Sequence, residues 1–326
     1  MTGVTGVSSD SDDVATDFGA AHDELRSVAR DLLGKAAAPD LGRLADAGWL
    51  GLEVSESRGG AGATFAEVAV VLGEMGRAAT TSPYLGTAVL GVGALNLLAP
   101  NPGRDALLGL VASGDRVVAV ALPTGDEDGD AAVGFRFERG RLHGRAAFVP
   151  DAPGADRLLV PAHHPDAGPV VAVVHAGAEA PPGLDVVAQP VLDATRRLGL
   201  VTADGIEVPD AAVWRFAGDP AASVRRLLDR GALAVACDSL GLAEAMLEAT
   251  VAYAGVRHQF GRPIGSFQAV KPACAAMLVQ VSVARELLAA AVTAVVDEPA
   301  SPATSVAVAM AKSYVGGAAV DVVGKA

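Results

Sequence analysis

The first third of the chain has apolar residues at helical spacing. One stretch repeats them at intervals of three and four positions: Phe65, Val68, Val71, Leu72 and Met75. That spacing places the apolar side chains on one face of a helix. Just before it, Gly59, Gly60 and Gly62 supply turn conformations that other residues resist. We therefore predict helices from about Phe18 to Gly114.

The middle of the chain, from about Asp115 to Trp214, changes to short runs rich in β-branched residues. The runs are Arg116–Leu122, Val133–Glu138, Arg141–Val149, Arg157–Val160, Val170–His175 and Leu198–Val208. Clusters of Pro, Gly and Asp separate them, as at Pro123–Asp130 and Pro161–Gly168. Regular short strands joined by such turns predict a compact antiparallel β-barrel or sandwich.

The last third returns to helical spacing. Two apolar stripes run through it: Leu233, Cys237, Leu240, Leu247 and Val251, then Val270, Cys274, Met277, Leu278, Val281, Leu288 and Val292. Asp297–Pro302 has the composition of a linker, after which Thr304 is predicted to cap a last helix that runs through Val323. These patterns predict a C-terminal helical bundle.

Helices, strands and helices follow one another in separate blocks, so the predicted fold class is α+β with segregated α and β parts. We predict a flexible tail at residues 1–17, an N-terminal α domain at 18–114, a middle β domain at 115–214 and a C-terminal α domain at 215–326. No Gly-rich phosphate loop opens a βαβ unit in the sequence, which disfavours a nicotinamide-binding Rossmann domain.

Charge and composition disfavour several classes of function. The net charge of −13 opposes binding to nucleic acid and to anionic membranes, and the aromatic content of 4% is not that of a base-stacking protein. Leu85–Ala99 is shorter than the ~20 apolar residues of a membrane span. Met1–Asp17 lacks the basic and apolar regions of a secretory signal. The adjacent His163 and His164 have no further ligands at metal spacing. We therefore predict a soluble, cytoplasmic protein without a metal site.

One segment between two of the predicted C-terminal helices has a specific pattern. It contains R-x-x-F-G-x-x-I-x-x-F-Q, formed by Arg257, Phe260, Gly261, Ile264, Phe267 and Gln268. This pattern resembles the signature of the acyl-CoA dehydrogenase family, in which it joins two helices of the C-terminal bundle. Four further segments are similar to parts of the same family: Leu44–Gly62, Leu72–Arg77, Phe148–Pro150 and Ala155–Val160. The resemblance covers nearly the whole chain and has the family's order of α, β and α domains.

The resemblance implies flavin chemistry, in which the α proton of an acyl-CoA thioester is abstracted and the β hydride passes to FAD. In the family, the matching Arg grips the ADP part of an FAD that is held mainly by a neighbouring subunit. The resemblance thus assigns five residues to the cofactor: Arg257, Gln259, Phe260, Phe267 and Gln268. A guanidinium can make charge-assisted hydrogen bonds to a diphosphate. A solvated cation at a helix end, with two Phe rings that only pack between helices, is the plainer alternative.

The chain departs from the family pattern at two flavin contacts. Where the family has T-E-P-x-x-G-S-D, this chain has Pro123–Asp130, in which four carboxylates within five residues would repel a diphosphate. Where the family places W-I-T against the flavin, this chain has Phe148, Val149 and Pro150. Pro150 offers neither a Thr hydroxyl nor a backbone N–H. We therefore expect that the chain holds a flavin of its own poorly.

The catalytic residue is left unknown, because no base of the family can be assigned. One family position for this carboxylate lies 26 residues before the signature Arg, where this chain has Gly231. Asp229 is near, but a two-residue offset on a helix turns it to another face. The other position follows a Q-x-x-G-G motif. The sequence ends at Gly324–Ala326, before that motif and the last helix would appear.

Three hypotheses follow from the sequence. In the first, the chain resembles the smaller, non-base subunits of heteromeric acyl-CoA dehydrogenases, including those of steroid side-chain β-oxidation. A homologous partner would then supply the base, and FAD would be shared at the subunit interface. The second hypothesis is a homo-oligomeric acyl-CoA dehydrogenase of fatty acid or steroid β-oxidation. The third is a catalytically silent structural or regulatory partner. A yellow preparation of the chain alone would favour the second hypothesis, and a colourless one either of the others.

Overall fold

The computed structural model describes residues 10–35, 38–123 and 134–326. Its N-terminal part is helical, as predicted. Its α-helices are α1 (Asp10–Lys35), α2 (Leu41–Asp46), α3 (Phe65–Arg77), α4 (Val92–Leu97) and α5 (Pro102–Ala112), and a π-helix (Leu85–Gly91) runs directly into α4. Helix α1 begins inside the segment predicted as a tail. Thr64 starts α3 with a capping box, since its hydroxyl accepts from Ala66 N at 3.1 Å and Glu67 accepts from Thr64 N at 2.8 Å.

The middle part is one sheet of eight strands. The strands are β1 (Val118–Val120), β2 (Phe135–Glu138), β3 (Arg141–Pro150), β4 (Arg157–His164), β5 (Gly168–His175), β6 (Leu184–Gln189), β7 (Leu198–Glu207) and β8 (Val213–Trp214). They follow the order β6-β7-β3-β2-β4-β5-β8, and β1 pairs with β4.

The sheet is mixed, so the prediction of a purely antiparallel barrel or sandwich was wrong in this detail. Strands β1 and β2 both run parallel to β4, whereas the other pairs are antiparallel. Parallel pairing requires a long connection, and the chain makes the β2–β3 hairpin between β1 and β4. The α+β fold class itself is confirmed.

The C-terminal part consists of three long helices and a short hairpin. The helices are α6 (Pro220–Val256), α7 (Val270–Asp297) and α8 (Pro302–Lys325), and the hairpin between α6 and α7 pairs β9 (His258–Gln259) with β10 (Arg262–Pro263). Ser301, rather than the predicted Thr304, caps α8, because the Ser301 side chain accepts from Ala303 N at 3.3 Å. Thr304 is buried, and its hydroxyl donates to Glu298 O at 2.7 Å.

The N-terminal and C-terminal helices pack into one core. Helices α3 and α6 approach so closely that a Cβ added to Gly241 would lie 1.9 Å from Gly73 O. A Cβ added to Gly76 would lie 1.9 Å from Asp238 O. The shared apolar core contains residues of five helices: Leu33, Met75, Leu240, Met277 and Val315. The sheet has a separate core around residues such as Phe135.

Helices α7 and α8 are long and apolar enough to span a membrane by length and composition. Both also pack in the bundle, to which α7 contributes Met277 and Val281 and α8 contributes Val308 and Val315. Their hydropathy therefore fits helices of a bundle core. Each helix also has exposed apolar side chains: Leu278, Val279 and Val283 on α7, and Val306, Met310, Val320 and Val323 on α8.

Candidate functional site

The three parts of the chain meet around an apolar cavity of about 270 Å³, which we call the Gly231 cavity. The N-terminal part supplies Leu85 and Leu90, and α6 supplies Gly231 itself. The other lining residues come from the sheet, its strand ends and α6: Val120, Leu122, Pro123, Ala147, Phe148, Val149, Pro150, Leu228, Ala232 and Val235. Apolar cavities at the junction of domains are preferred sites for small ligands.

A second cavity of about 760 Å³ adjoins the first, and we call it the α8 cavity. The two cavities share four lining residues: Leu85, Phe148, Pro150 and Val235. Its far wall is the C-terminal half of α8, including Val320 and Val323. At its polar end, Arg196 Nη2 lies 2.5 Å from Asp238 Oδ2, and Arg196 Nε lies 3.9 Å from Asp193 Oδ2. One guanidinium thus holds both carboxylates.

Gly231 leaves open a position from which a side chain would enter the cavity. A Cβ added there would lie 3.4 Å from Leu90 Cδ2, which is ordinary contact. Asp229 lies elsewhere, and its Oδ2 accepts a hydrogen bond from Ser305 Oγ at 2.6 Å. Among the described residues that line the Gly231 cavity, no side chain is acidic. The cavity can enclose an apolar group, but these residues supply no general base.

The end of strand β3 turns sharply where it reaches both cavities. Phe148 has φ of 55° and Asp151 has φ of 60°, a left-handed conformation that is uncommon for residues other than Gly. A register shift between Ala146 and Val149 in the pairing of β3 with β7 accompanies the turn. The turn exposes half of the Phe148 side chain at the shared wall of the cavities. Pro150, beside it, has no N–H to offer a ligand.

Asp151 links this turn to the π-helix. Its carboxylate is buried and accepts a hydrogen bond from Gly86 N at 2.9 Å. Gly86 must be a glycine, because an added Cβ would lie 2.8 Å from both Asp151 Oδ2 and Pro150 O. Burial raises the pKa of Asp151 to about 6, although the Gly86 N–H and the guanidinium groups of Arg197 and Arg196 oppose that rise.

The hairpin after α6 carries the residues of the R-x-x-F-G pattern. Arg257 ends α6 and is exposed. Phe260, in a left-handed conformation with φ of 52°, is 92% exposed, and its ring meets the Phe267 ring edge-on at 6.1 Å. The guanidinium of Arg262 lies 4.3 Å from the centre of the Phe267 ring. Sequence reasoning did not single out Arg262, although it lies inside the pattern between the two Phe residues.

Helix α6 separates the hairpin from the Gly231 cavity. Arg257 follows Gly231 by 26 residues at the end of this uninterrupted helix, which is about 39 Å at 1.5 Å per residue. No Arg side chain bridges that distance. Gly231 therefore lies far from the five predicted cofactor residues. These five lie together near one end of α6: Arg257, Gln259, Phe260, Phe267 and Gln268.

Two other features of the sequence are the acidic segment and the pair of adjacent His residues. The acidic residues from Asp126 to Asp130 lie outside the described residues. His164 packs against Phe137 at a ring distance of 5.8 Å, and His163 is exposed. Within residues 10–35, 38–123 and 134–326, no group of three His, Cys, Asp or Glu side chains could hold a metal ion.

Two family profiles match the chain on either side of the sheet. The acyl-CoA dehydrogenase N-terminal domain matches residues 17–115, and the C-terminal domain of the same family matches residues 221–326. Acyl-CoA dehydrogenase FadE27 of Mycobacterium tuberculosis is 36% identical over 241 residues, covering 70% of this chain and 59% of the relative. Acyl-CoA dehydrogenase IpdE2 of Mycolicibacterium smegmatis is 31% identical over 281 residues, covering 85% of this chain and 70% of the relative.

Solved structures share the fold over nearly the whole chain. A variant of the Tcur3481-Tcur3483 steroid ACAD superposes with a TM-score of 0.80 at 30% identity, covering 94% of this chain and 86% of that one. The ChsE4-ChsE5 complex from Mycobacterium tuberculosis gives a TM-score of 0.81 at 29% identity, covering 94% and 85%. The match to FadE27 spans only 59% of that relative. From its profiles, its relatives and its fold, the chain belongs to the acyl-CoA dehydrogenase family.

Proposed function

We propose that the chain is a subunit of an FAD-dependent acyl-CoA dehydrogenase, which forms the α,β double bond of an acyl-CoA thioester together with a related partner subunit. The observation that carries this proposal is the separation of two half-sites on α6. Arg257 and its Phe residues lie at one end of the helix, about 39 Å from the Gly231 cavity by the rise of an α-helix. Each half-site is completed by another subunit.

The residues of the hairpin fit the diphosphate and adenine parts of FAD. Arg257 is exposed, and a guanidinium makes charge-assisted hydrogen bonds to phosphate oxygens, so it can bind a diphosphate held by another chain. Phe260 is 92% exposed, and its ring contacts the ring of Phe267 in the same hairpin region. Rings that are solvated in one chain become buried when a second chain covers them. When bound, FAD supplies the acceptor for the hydride that leaves the β carbon of the substrate.

The Gly231 cavity fits an acyl chain. Its walls are apolar side chains and its volume is about 270 Å³, with the larger α8 cavity beside it. Residues such as Leu85, Leu90 and Phe148 would exclude water from the carbon atoms that react. The described residues of this cavity offer no carboxylate to remove the α proton, so in the proposed complex the partner supplies the base.

Partner and compartment are part of the same proposal. The steroid ACAD and the ChsE4-ChsE5 complex named above each combine two different chains. By analogy, we infer a homologous partner, a steroid-derived or other bulky apolar acyl-CoA as substrate, and a cytoplasmic location. The exposed apolar residues of α7 and α8 support an interface between helices: Leu278, Val279, Val283, Val306, Met310, Val320 and Val323. A homo-oligomer would cover the same surface and is the second candidate.

The role of Arg257 tests the cofactor half of the proposal. In the complex of this chain with its partner, Arg257→Ala should weaken FAD retention about tenfold or more, because a charge-assisted hydrogen bond is lost. Arg225→Ala is the matched control, since Arg225 is exposed near the opposite end of α6. Flavin absorbance per protein is measured after extensive dialysis. Equal flavin content in the Arg257 variant, the Arg225 variant and the wild type would refute the role of Arg257.

A further inference from the structure

A buried ion pair includes Arg230, the residue that precedes Gly231 on α6. Arg230 Nη1 donates to Glu53 Oε1 at 3.0 Å, and Arg230 Nη2 donates to Glu53 Oε2. The two side chains are only 11% and 13% exposed. The guanidinium also lies 4.7 Å from the centre of the Phe65 ring. This is a bidentate pair of the kind that fixes both partners in one orientation.

Arg230 also holds the π-helix. Its Nε donates to Val89 O at 2.6 Å, and Val89 lies in the π-helix that precedes α4. The neighbouring backbone is adapted to the guanidinium, because a Cβ added to Gly93 would lie 2.6 Å from Arg230 Nε. On the other side, Asn96 Nδ2 donates to Glu53 O at 2.9 Å. One guanidinium therefore connects α6, the π-helix, the start of α3 and the loop before it.

Each of these anchors is next in sequence to a wall of the cavity. Val89 precedes Leu90, and Arg230 precedes Gly231; both following residues line the Gly231 cavity. A Cβ added to Gly231 would just touch Leu90. The distance between the π-helix and α6 therefore sets the width of the Gly231 cavity. Single π-helical segments often occur at functional sites, where they move a side chain out of the regular helical register.

Stability alone does not account for a buried pair of this kind. Removing two charges from water is costly, and exchange of a buried ion pair for apolar residues of similar volume is often neutral or stabilising. The hydrogen bond from Arg230 to Val89 O, by contrast, fixes a position that apolar side chains would leave free. Glu53 keeps the guanidinium in the plane that this bond requires.

We propose that Glu53 and Arg230 are positioning residues that set the width of the Gly231 cavity by holding the π-helix against α6, and thereby select the acyl groups that enter it. The selection of acyl groups rests on the function proposed above, whereas the positioning of the π-helix does not. The pair acts through Val89 and Leu90 and does not itself touch the substrate.

The test uses a neutral replacement of the pair, Glu53→Leu with Arg230→Met, in the complex with the partner. We expect the double variant to unfold at or above the wild-type temperature, because no buried charge is left unpaired. Amide hydrogen exchange in the segment 85–92 should become about tenfold faster, the effect of losing one or two hydrogen bonds. The ratio of kcat/KM for palmitoyl-CoA to that for butyryl-CoA should change by about tenfold as well.

Arg230→Lys keeps the proposal testable if the double variant does not fold. Lysine retains a positive charge for Glu53 but is a point charge without the planar fork, so it cannot hold Glu53 and Val89 O together. The same faster exchange is expected. Unchanged exchange in a folded variant overturns the positioning role, even if the complex is active. Faster exchange in the variant, together with a wild-type complex that oxidises no acyl-CoA, would leave the positioning role intact and refute the proposed function instead. Faster exchange with an unchanged preference between the two substrates would overturn the selection of acyl groups.

Discussion

Asp151 is buried between the turn at Pro150 and the N-terminus of the π-helix, where few carboxylates are tolerated. Among the described residues, the Asp151 carboxylate accepts one hydrogen bond, from Gly86 N. The positive charges of Arg197 and Arg196 lie near enough to favour its ionised form. Arg196 is itself paired with Asp238 of α6. The carboxylate is thus charged at neutral pH although it is buried, and the loss of its hydration destabilises the fold.

The pKa of Asp151 makes stability depend on pH in a defined direction. Burial raises this pKa to about 6, above the value near 3.9 of an unfolded Asp. The folded chain therefore takes up this proton below about pH 6, before the unfolded chain does, so this group adds stability as the pH falls from about 6 to 4. At pH 7.5 both states are ionised, and the cost of burying the charge is present in full.

Replacement of Asp151 by Asn removes the charge and keeps an oxygen that accepts from Gly86 N. We expect Asp151→Asn to raise the free energy of unfolding by about 1–3 kcal/mol at pH 7.5 and by less at pH 5. Asp151→Ala, which also loses the hydrogen-bond acceptor, should be destabilised at both pH values. Urea unfolding of the wild type and of both variants at pH 7.5 and pH 5 measures the free energies. An Asn variant that gains no more at pH 7.5 than at pH 5 would contradict the assignment.

At the residue scale, the sequence singled out residues inside the R-x-x-F-G pattern. It did not reveal contacts between residues that are far apart along the chain. The spacing from Arg257 to Gln268 was enough to single out the hairpin residues, and their roles stay a prediction. Glu53 and Arg230 are 177 positions apart, so no spacing rule joins them. Asp151 and Gly86 are 65 positions apart and escaped notice for the same reason.

Helices α3 and α6 pack closely in the described core because glycines line both sides of the contact. At Gly241 an added methyl group would lie 1.9 Å from Gly73 O, closer than any real contact. Such a substitution forces the two backbones apart. The seam between the N-terminal and C-terminal helices therefore depends on the absence of a side chain at this position.

We predict that Gly241→Ala lowers the free energy of unfolding by about 1–3 kcal/mol or more through overpacking, although Ala favours a helix. Gly255→Ala is the matched control on the same helix, since nothing lies within 4 Å of a Cβ added there. The control should be neutral or stabilised by up to about 1 kcal/mol. Chemical denaturation of both variants measures the difference. Equal stability of the two would show that α3 and α6 do not pack as described.

At the element scale, periodicity predicted the helices with one polar face and most of the strands. It did not predict the π-helix or the direction in which the strands pair. Helix α3 and the C-terminal helices were visible because their apolar residues recur every three or four positions. The π-helix has an apolar surface all round, as its sequence LGTAVLG shows, so it has no phase to detect. The strands were mostly found, but alternation along a strand carries no information on the direction of its neighbours. The parallel pairing of β1 with β4 could not be predicted for that reason.

The whole molecule exposes more apolar helix surface than a solvated monomer needs. Leu278 and Val279 of α7 are 54% and 61% exposed, and Val306 and Met310 of α8 are 59% and 55% exposed. Exposed apolar side chains on neighbouring helices are typical of an interaction site. The hairpin with Arg257 adjoins the start of α7, so a chain that covers this surface would also meet the proposed cofactor residues.

We predict that the chain assembles through this surface, alone or with its partner. Val279→Lys should shift the assembly to smaller species at micromolar concentration, because an ammonium group would be buried there. Val28→Lys, on an exposed position of α1, is the control and should leave the assembly unchanged. Light scattering coupled to size exclusion measures the mass. A monodisperse monomer, with and without a candidate partner, would contradict the prediction.

At the scale of the molecule, the order of α, β and α parts followed from the sequence, whereas the division of the site between chains was implied by the family resemblance and stays a proposal. Arg257 was identified from the R-x-x-F-G pattern, and Gly231 from the base position that the family resemblance implies. Only an uninterrupted α6 turns their spacing into a distance that one chain cannot close. The exposed apolar surface proposed to meet a partner was predicted only in general terms, because exposure depends on how the helices pack.

We propose that this chain holds only part of a flavin site and needs a second subunit for catalysis. The most direct test is acyl-CoA oxidation by the purified 326-residue chain, supplied with excess FAD, palmitoyl-CoA and an artificial electron acceptor. General-base catalysis contributes about 10²–10⁴-fold, so we predict almost no turnover by the chain alone. Gly231→Glu, which places a carboxylate in the cavity, should stay inactive, because the flavin half-site is still incomplete. Robust oxidation by the wild-type chain without a partner would contradict the account.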